Sequence, residues 1–305
     1  LVENGHAYYA FDTAEELEAQ REQDKAFKYG AETRMQLKNS LTLPEPEVRQ
    51  RISSGESWVI RLKVPENEDV IVTDLIRGEV VFKSEELDDK VMLKSDGMPT
   101  YHLANIVDDF LMKVTHVIRG EEWLPSTGHH VLLYRFLRWA DRMPQFAHLP
   151  LILKPDGKGK LSKRDGARLG IPVFPLSWEA ETAEDSFKGF REFGFMPQAV
   201  LNFLAFLGWN PGTEQEIFSL EDLTQAFSLD KIGKSGARFD FEKAKWFNQQ
   251  YILAADTVTL AKMIRPIIEK QGYQPSQAFL EGFCKLMKER VALLTEFWEK
   301  GYYFF

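Results

Sequence analysis

Apolar and polar residues alternate at Trp58, Ile60, Leu62 and Val64, the period-two signature of a strand with one buried face. Shorter apolar runs at Val70 to Val72, Val80 to Phe82 and Val91 to Lys94 predict further strands nearby. Upstream, Thr13-Ala14-Glu15-Glu16 is a capping box, so a helix is expected from there to about Phe27. The stretch from Asn39 to Glu47 is polar and proline-punctuated, and reads as irregular. Beyond Met98 the period lengthens. A helix is predicted over Tyr101 to Leu111, a strand over Val114 to Arg119, a helix over Ser126 to Trp139 and a strand over Leu149 to Leu153. That alternation belongs to a doubly wound sheet, in which ligands sit beyond the carboxyl ends of the strands. Gly170 to Trp178 is irregular again. Pro197 then opens a helix to Leu207 that Gly208 stops, followed by predicted helices over Leu220 to Phe227, Phe241 to Asn248, Val258 to Lys270 and Gln277 to Lys300.

A chain of 305 residues exceeds the usual size of one core, so two or three domains are expected. One cysteine, Cys284, excludes an internal disulfide framework and any cysteine-rich zinc cluster, which favours a reducing compartment. The longest apolar run, Ala199 to Trp209, spans about half a bilayer and contains Asn202, so no membrane helix is predicted. The net charge of -8 argues against a uniformly basic nucleic-acid binder, but a basic stripe on one face remains compatible with it.

One segment is locally basic. Between Lys154 and Arg168 six Lys or Arg residues face only Asp156 and Asp165, around Lys160-Leu161-Ser162-Lys163-Arg164 and the glycines at 157, 159 and 166. Glycines let backbone amides approach an anion, and the ammonium groups of Lys160 and Lys163 beside the Ser162 hydroxyl suit a phosphate. Arg119 closes an apolar strand, where a guanidinium is costly unless an anion meets it, either a carboxylate ligand or Asp108 or Asp109. Tyr101 and Asn105 lie four apart and share a helical face. Glu122 and Trp123 pair a carboxylate with an aromatic just after the Arg119 strand. His102, His116 and His148 lack metal-ligand spacing and receive no role, and His129-His130 is a bare dipeptide.

Lys94-Ser95-Asp96-Gly97, Pro99 to Asn105, Val117-Ile118-Arg119-Gly120-Glu121-Glu122-Trp123 and the lysine segment together resemble the glutamyl-tRNA synthetase family of class I aminoacyl-tRNA synthetases. The lysine segment corresponds to the family's KMSKS signature with Leu161 in place of Met. The resemblance runs along essentially the whole chain. It implies an α/β plus α-helical fold: a mixed α+β connective region over 1-98 that grips the tRNA acceptor end, and the second half of a Rossmann-type catalytic domain over 99-153. A KMSKS loop and stem-contact region over 154-240 and the start of a helical anticodon-binding domain over 241-305 would follow. The implied reaction is ATP-dependent ligation of L-glutamate to tRNA(Glu), with Mg2+ accompanying ATP. By resemblance Lys160 and Lys163 are catalytic, Tyr101, Asn105 and Arg119 bind glutamate, and Glu122, Trp123, Leu151, Ile152, Lys160, Ser162 and Lys163 bind ATP. The family's His-Ile-Gly-His motif does not occur in these residues, so a piece lacking the first half of the catalytic fold and most of the anticodon-binding part is expected. Asp12 and Thr13 fall where some relatives place zinc cysteines, hence no zinc is expected. A cytoplasmic monomer is expected as well. Two alternatives stay open, a tRNA-binding module without chemistry and a glutamyl-queuosine-type paralogue; the helices after Phe239 speak against the second.

Overall fold

The chain begins with β1 (Ala7–Ala10), whose residues pair antiparallel with β2 (Val59–Leu62), itself paired with β5 (Val91–Leu93). This computed structural model describes residues 1–182 and 185–305, except the side chain of Lys163. Between β1 and β2 run α1 (Ala14–Gln23) and α2 (Glu45–Ser53). The predicted capping box is present: Thr13 Oγ1 accepts from the Glu16 N–H and the Glu16 carboxylate from the Thr13 N–H. Helix α2 was not expected, because Pro44 and Pro46 look like punctuation. Pro46 sits in the first turn, where its missing N–H costs nothing.

A second sheet holds β3 (Asp69–Asp74), β4 (Gly78–Lys83), β6 (His116–Gly120) and β7 (Gln145–Leu149) in the order β4-β3-β7-β6. Strands β3 and β6 both run parallel to β7, with α3 (Tyr101–Leu111) and α4 (Leu124–Phe136) among the connections. The β3-β4 hairpin, expected within a separate region ending at 98, therefore shares a sheet with the strands that follow it. Leu62, Val64, Val70, Met92, Ile106, Leu132 and Tyr134 form one core, so the unit Leu1–Leu149 folds around both sheets.

The strand expected over Leu149 to Leu153 is two strands. Pro150 has no N–H for a sheet ladder, so β7 ends before it, and β8 (Ile152–Leu153) belongs to the second unit, Pro150–Phe305. In that unit α5 (Lys163–Leu169), α6 (Phe190–Phe193), α7 (Pro197–Ala205) and α8 (Leu220–Ala226) precede β9 (Ala237–Arg238), which pairs parallel with β8. Helices α9 (Phe241–Ala254), α10 (Thr257–Glu269), α11 (Gln277–Met287) and α12 (Glu296–Gly301) follow. The single helix expected over Gln277 to Lys300 breaks between α11 and α12. Tertiary partners capture its backbone there: Asn248 Nδ2 donates to the Ala292 carbonyl at 2.6 Å, and the Leu294 N–H donates to the Gly194 carbonyl at 2.8 Å. Phe190, Phe203, Phe239 and Phe247 centre one core of this unit, and Leu260, Ile264, Leu280 and Phe297 another.

Candidate functional site

Arg119 and His148 are direct register partners on β6 and β7, so their side chains leave the sheet on the same face, near the carboxyl ends of parallel strands. Arg119 Nε donates to His148 Nε2 at 3.1 Å, and Nη2 donates to Thr127 Oγ1 at 2.9 Å, with His130 Nδ1 at 3.3 Å. Every one of these acceptors is neutral. Arg119 makes no ion pair among the described residues, so the structural alternative of a bridge to Asp108 or Asp109 is not what is seen; Asp109 instead accepts from Asn105 Nδ2 at 3.2 Å. Arg119 Nη1 is buried without a hydrogen-bond partner. Burial lowers the guanidinium's pKa, which measures how little its surroundings compensate its charge.

The histidines around it are kept uncharged. Burial, then the Arg119 charge, brings His130 down to about 2, and burial, then Lys90, brings His102 to about 4. His148 is also lowered, chiefly by burial, although the hydrogen bond to Asp74 opposes the shift. Donor logic then fixes a consistent chain. Arg119 only donates, so His130 Nδ1 carries a lone pair and its Nε2–H donates to His102 Nδ1 at 3.3 Å.

Aromatic rings border this cation. Trp123 and Phe146 each lie 6.0 Å from the Arg119 guanidinium carbon, and the Tyr101 ring is 4.8 Å from Trp123. Tyr101 is 47% exposed and Trp123 38%, so the rings offer a surface that solvent and ligand can both reach. Glu122 folds back on Gly120: a Cβ there would lie 2.1 Å from its Oε2, which is why position 120 takes glycine. Glu121 pairs with Arg77 at 2.8 Å.

In the second unit the lysine segment is a hairpin followed by a helix, not a loop throughout. Lys154 N–H donates to the Gly159 carbonyl at 3.1 Å and Leu161 N–H to the Ile152 carbonyl at 2.8 Å, with Gly157 and Gly159 at φ of 75° and 79°. The Ser162 N–H and hydroxyl both donate to Asp165 Oδ2, at 2.9 and 2.6 Å, which caps α5 and holds the Asp165 carboxyl well below the usual carboxylate range. Lys163 is the first residue of α5; its side chain lies outside the described residues. Lys160 is exposed on the hairpin. The Leu151 and Ile152 carbonyls already accept backbone N–H groups from Ala237 and Leu161.

The catalytic domain of class I tRNA synthetases of the E and Q type matches residues 1–246. The chain belongs to this family. It is 55% identical over its whole length to a glutamate–tRNA ligase of Cytophaga hutchinsonii and 56% identical to one of Parabacteroides distasonis, covering 60% and 61% of those proteins. A crystal structure of a glutamate tRNA ligase from Elizabethkingia meningosepticum in complex with its amino acid superposes with a TM-score of 0.93 at 45% identity, over all of this chain and 61% of that one. The enzyme from Elizabethkingia anophelis gives the same score and identity. The chain thus spans about 60% of the length of the relatives it matches.

The sequence pattern and the family resemblance singled out Tyr101, Arg119 and Trp123, which the fold gathers. They did not bring out Asp74, Thr127, His130 or His148. His148 and His102 had been set aside as ordinary. His148 bonds directly to Arg119 and His102 reaches it through His130, contacts that metal-ligand spacing does not reveal.

Proposed function

We propose that this chain carries the carboxylate-recognising and phosphate-facing groups of an ATP-dependent glutamate–tRNA ligase. The observation that supports it most is the state of Arg119, a buried cation held by neutral acceptors alone with one terminal nitrogen, Nη1, unspent. A structural arginine would be paired with a protein carboxylate. One left uncompensated suits an anionic ligand, and L-glutamate has two carboxylates for it. Tyr101 and Asn105 would border that substrate, and Trp123 and Glu122 would meet the adenosine of ATP by stacking and by accepting from ribose hydroxyls.

In the first step a glutamate α-carboxylate oxygen bonds to the α-phosphorus of ATP while the bond to pyrophosphate breaks. Charge gathers on phosphate oxygens, which Lys160, Lys163 and the Mg2+ that accompanies ATP would offset, with Ser162 and the Leu151-Ile152 backbone steadying the nucleotide. A terminal ribose hydroxyl of tRNA(Glu) then takes the acyl group and AMP leaves. Within this reading residues 1-98 hold the acceptor end, 99-153 read glutamate, 154-240 carry the phosphate-facing segment and 241-305 begin an anticodon-binding part. The same reading makes the protein a cytoplasmic monomer. It is also zinc-free, since Asp12 already accepts from the Tyr29 hydroxyl at 2.9 Å and the Lys38 N–H at 3.0 Å, and Thr13 caps α1. No helix among the described residues is long and apolar enough to cross a membrane.

Glutamate-dependent exchange of pyrophosphate into ATP by the full-length protein is the direct test. Exchange with glutamate but not with glutamine supports the ligase reading. Tight tRNA binding without exchange for any amino acid would leave an RNA-binding module in its place.

A further inference from the structure

Asp74, His148 and Arg119 sit on three neighbouring strands, β3, β7 and β6, near the ends of a parallel array, and nothing in their sequence positions announces that they meet. Asp74 is 3% exposed and His148 0%. The Asp74 carboxylate accepts at Oδ1 from the Ile76 and Arg77 N–H groups, at 2.9 and 2.8 Å, and its Oδ2 lies 2.6 Å from His148 Nδ1. A carboxylate at that distance requires a proton on Nδ1. In a neutral ring Nε2 then keeps its lone pair, and that lone pair is what receives the Arg119 Nε–H.

We propose that Asp74 and His148 are positioning residues for glutamate recognition: the carboxylate fixes the imidazole tautomer, and the imidazole fixes the roll of the Arg119 guanidinium. The proposal rests on the reading of Arg119 as the substrate's carboxylate partner. Bonds at Nε and Nη2, to His148 and Thr127, define the plane of the guanidinium and use up one edge of it. What remains for a ligand is the Nη1 end, the one buried nitrogen of the group without a partner. With the other tautomer, or with a charged imidazole, an N–H on His148 would point at the Arg119 N–H across 3.1 Å, and the guanidinium would have to turn away. Orientation then falls to the Nη2 contacts with Thr127 and His130, and a fork that is freer to roll loses the geometric advantage of arginine over lysine.

Three variants of the full-length protein test this. His148→Phe removes the acceptor while keeping a ring of similar size. His148→Gln returns an acceptor oxygen. Asp74→Asn keeps Oδ1 for the Ile76 and Arg77 N–H groups but turns an amide donor toward His148 Nδ1, which inverts the tautomer in the way an Asp-to-Asn change does in other Asp-His pairs. In pyrophosphate exchange, His148→Phe and Asp74→Asn are expected to raise the KM for glutamate roughly tenfold or more, the scale of one charge-assisted hydrogen bond, and to leave the KM for ATP within about twofold. His148→Gln should recover most of the loss. Because the imidazole acts through Arg119, adding His148→Phe to Arg119→Lys should change the glutamate KM by less than about twofold. Nitrogen NMR shifts of His148 should show a protonated Nδ1 and a bare Nε2, reversed in Asp74→Asn.

Equal damage to both substrates, or effects that multiply in the double variant, would make the pair structural and overturn the proposal. If His148→Phe does not fold, Asp74→Asn decides: an inverted tautomer with an unchanged glutamate KM overturns it as surely. An unchanged glutamate KM in Arg119→Lys removes the substrate reading itself, and the positioning role with it. A raised KM in Arg119→Lys beside an unchanged one in Asp74→Asn overturns the positioning role alone.

Discussion

Replacing Arg119 by lysine keeps a positive charge and discards the flat fork, so the change separates charge from geometry. The expected outcome is a rise in the KM for glutamate worth about 1.5 to 3 kcal/mol, with the KM for ATP little altered, as read by pyrophosphate exchange. Lys163→Ala should act on the other substrate's chemistry. On the proposed reading, which rests on its place in the KMSKS-type signature, this cation would serve charge that develops mainly in the transition state. Rapid-quench measurement should therefore show adenylate formation slowed roughly a hundredfold to a thousandfold, while tRNA affinity stays nearly unchanged. Normal adenylate formation with weakened tRNA binding would assign Lys163 to RNA instead. Arg119 stands out in the sequence because a guanidinium at a strand end is costly, whereas Tyr101 and Trp123 were singled out through the family resemblance, and the fold brings all three together. Asp74 and His148 were not legible there, because 74 positions separate them and only the strand order makes them neighbours.

The helix start with a capping signature at Thr13 stands where the pattern put it, since a local hydrogen bond decides it. The break between α11 and α12 has no local cause. It is made from outside by Asn248, whose Oδ1 also accepts from the Met196 N–H at 2.7 Å and which has no exposed surface. Asn248→Ala would strand at least two buried backbone groups, and should lower stability by about 3 kcal/mol, seen as a drop in the urea midpoint. Gly194 sits at the same junction with φ of 97°, and an added Cβ would lie 2.7 Å from the Thr295 nitrogen. Gly194→Ala should be as damaging, because strain in the left-handed region and overpacking add to each other.

At the scale of the chain, length pointed to more than one domain, and the fold divides along the chain between Leu149 and Pro150. The pattern placed the change a few residues later because it could not see that Pro150 ends one ladder and that β8 pairs with a distant β9. One unit carries an acid-sensitive element. His130 and His102 are lowered to about 2 and about 4, and His148 is lowered too, against an ordinary value near 6.5 in the unfolded chain. Below that value the unfolded chain binds protons that the folded one refuses. Stability should be intact above about pH 6.5 and fall as pH drops toward 4, with a fully shifted histidine contributing up to about 1.4 kcal/mol per pH unit. Urea midpoints at neutral and mildly acidic pH would show the slope, and His130→Gln should flatten it. Metal analysis of the purified protein should find no stoichiometric zinc.

The pairing of Arg119 with His148 across β6 and β7 has a consequence for how this protein can vary. Side chains on a strand alternate between faces, so removing Val117 would turn Ile118 to the face of the imidazole and send the guanidinium to the opposite side. On the proposed reading of Arg119, such a deletion would abolish glutamate recognition without changing the identity of any residue placed at the ligand. Length changes are therefore affordable in the connections that follow these strands, and barred within them. If Arg119 reads the substrate as proposed, substrate choice is written in the spacing of the sheet as much as in the identity of its side chains.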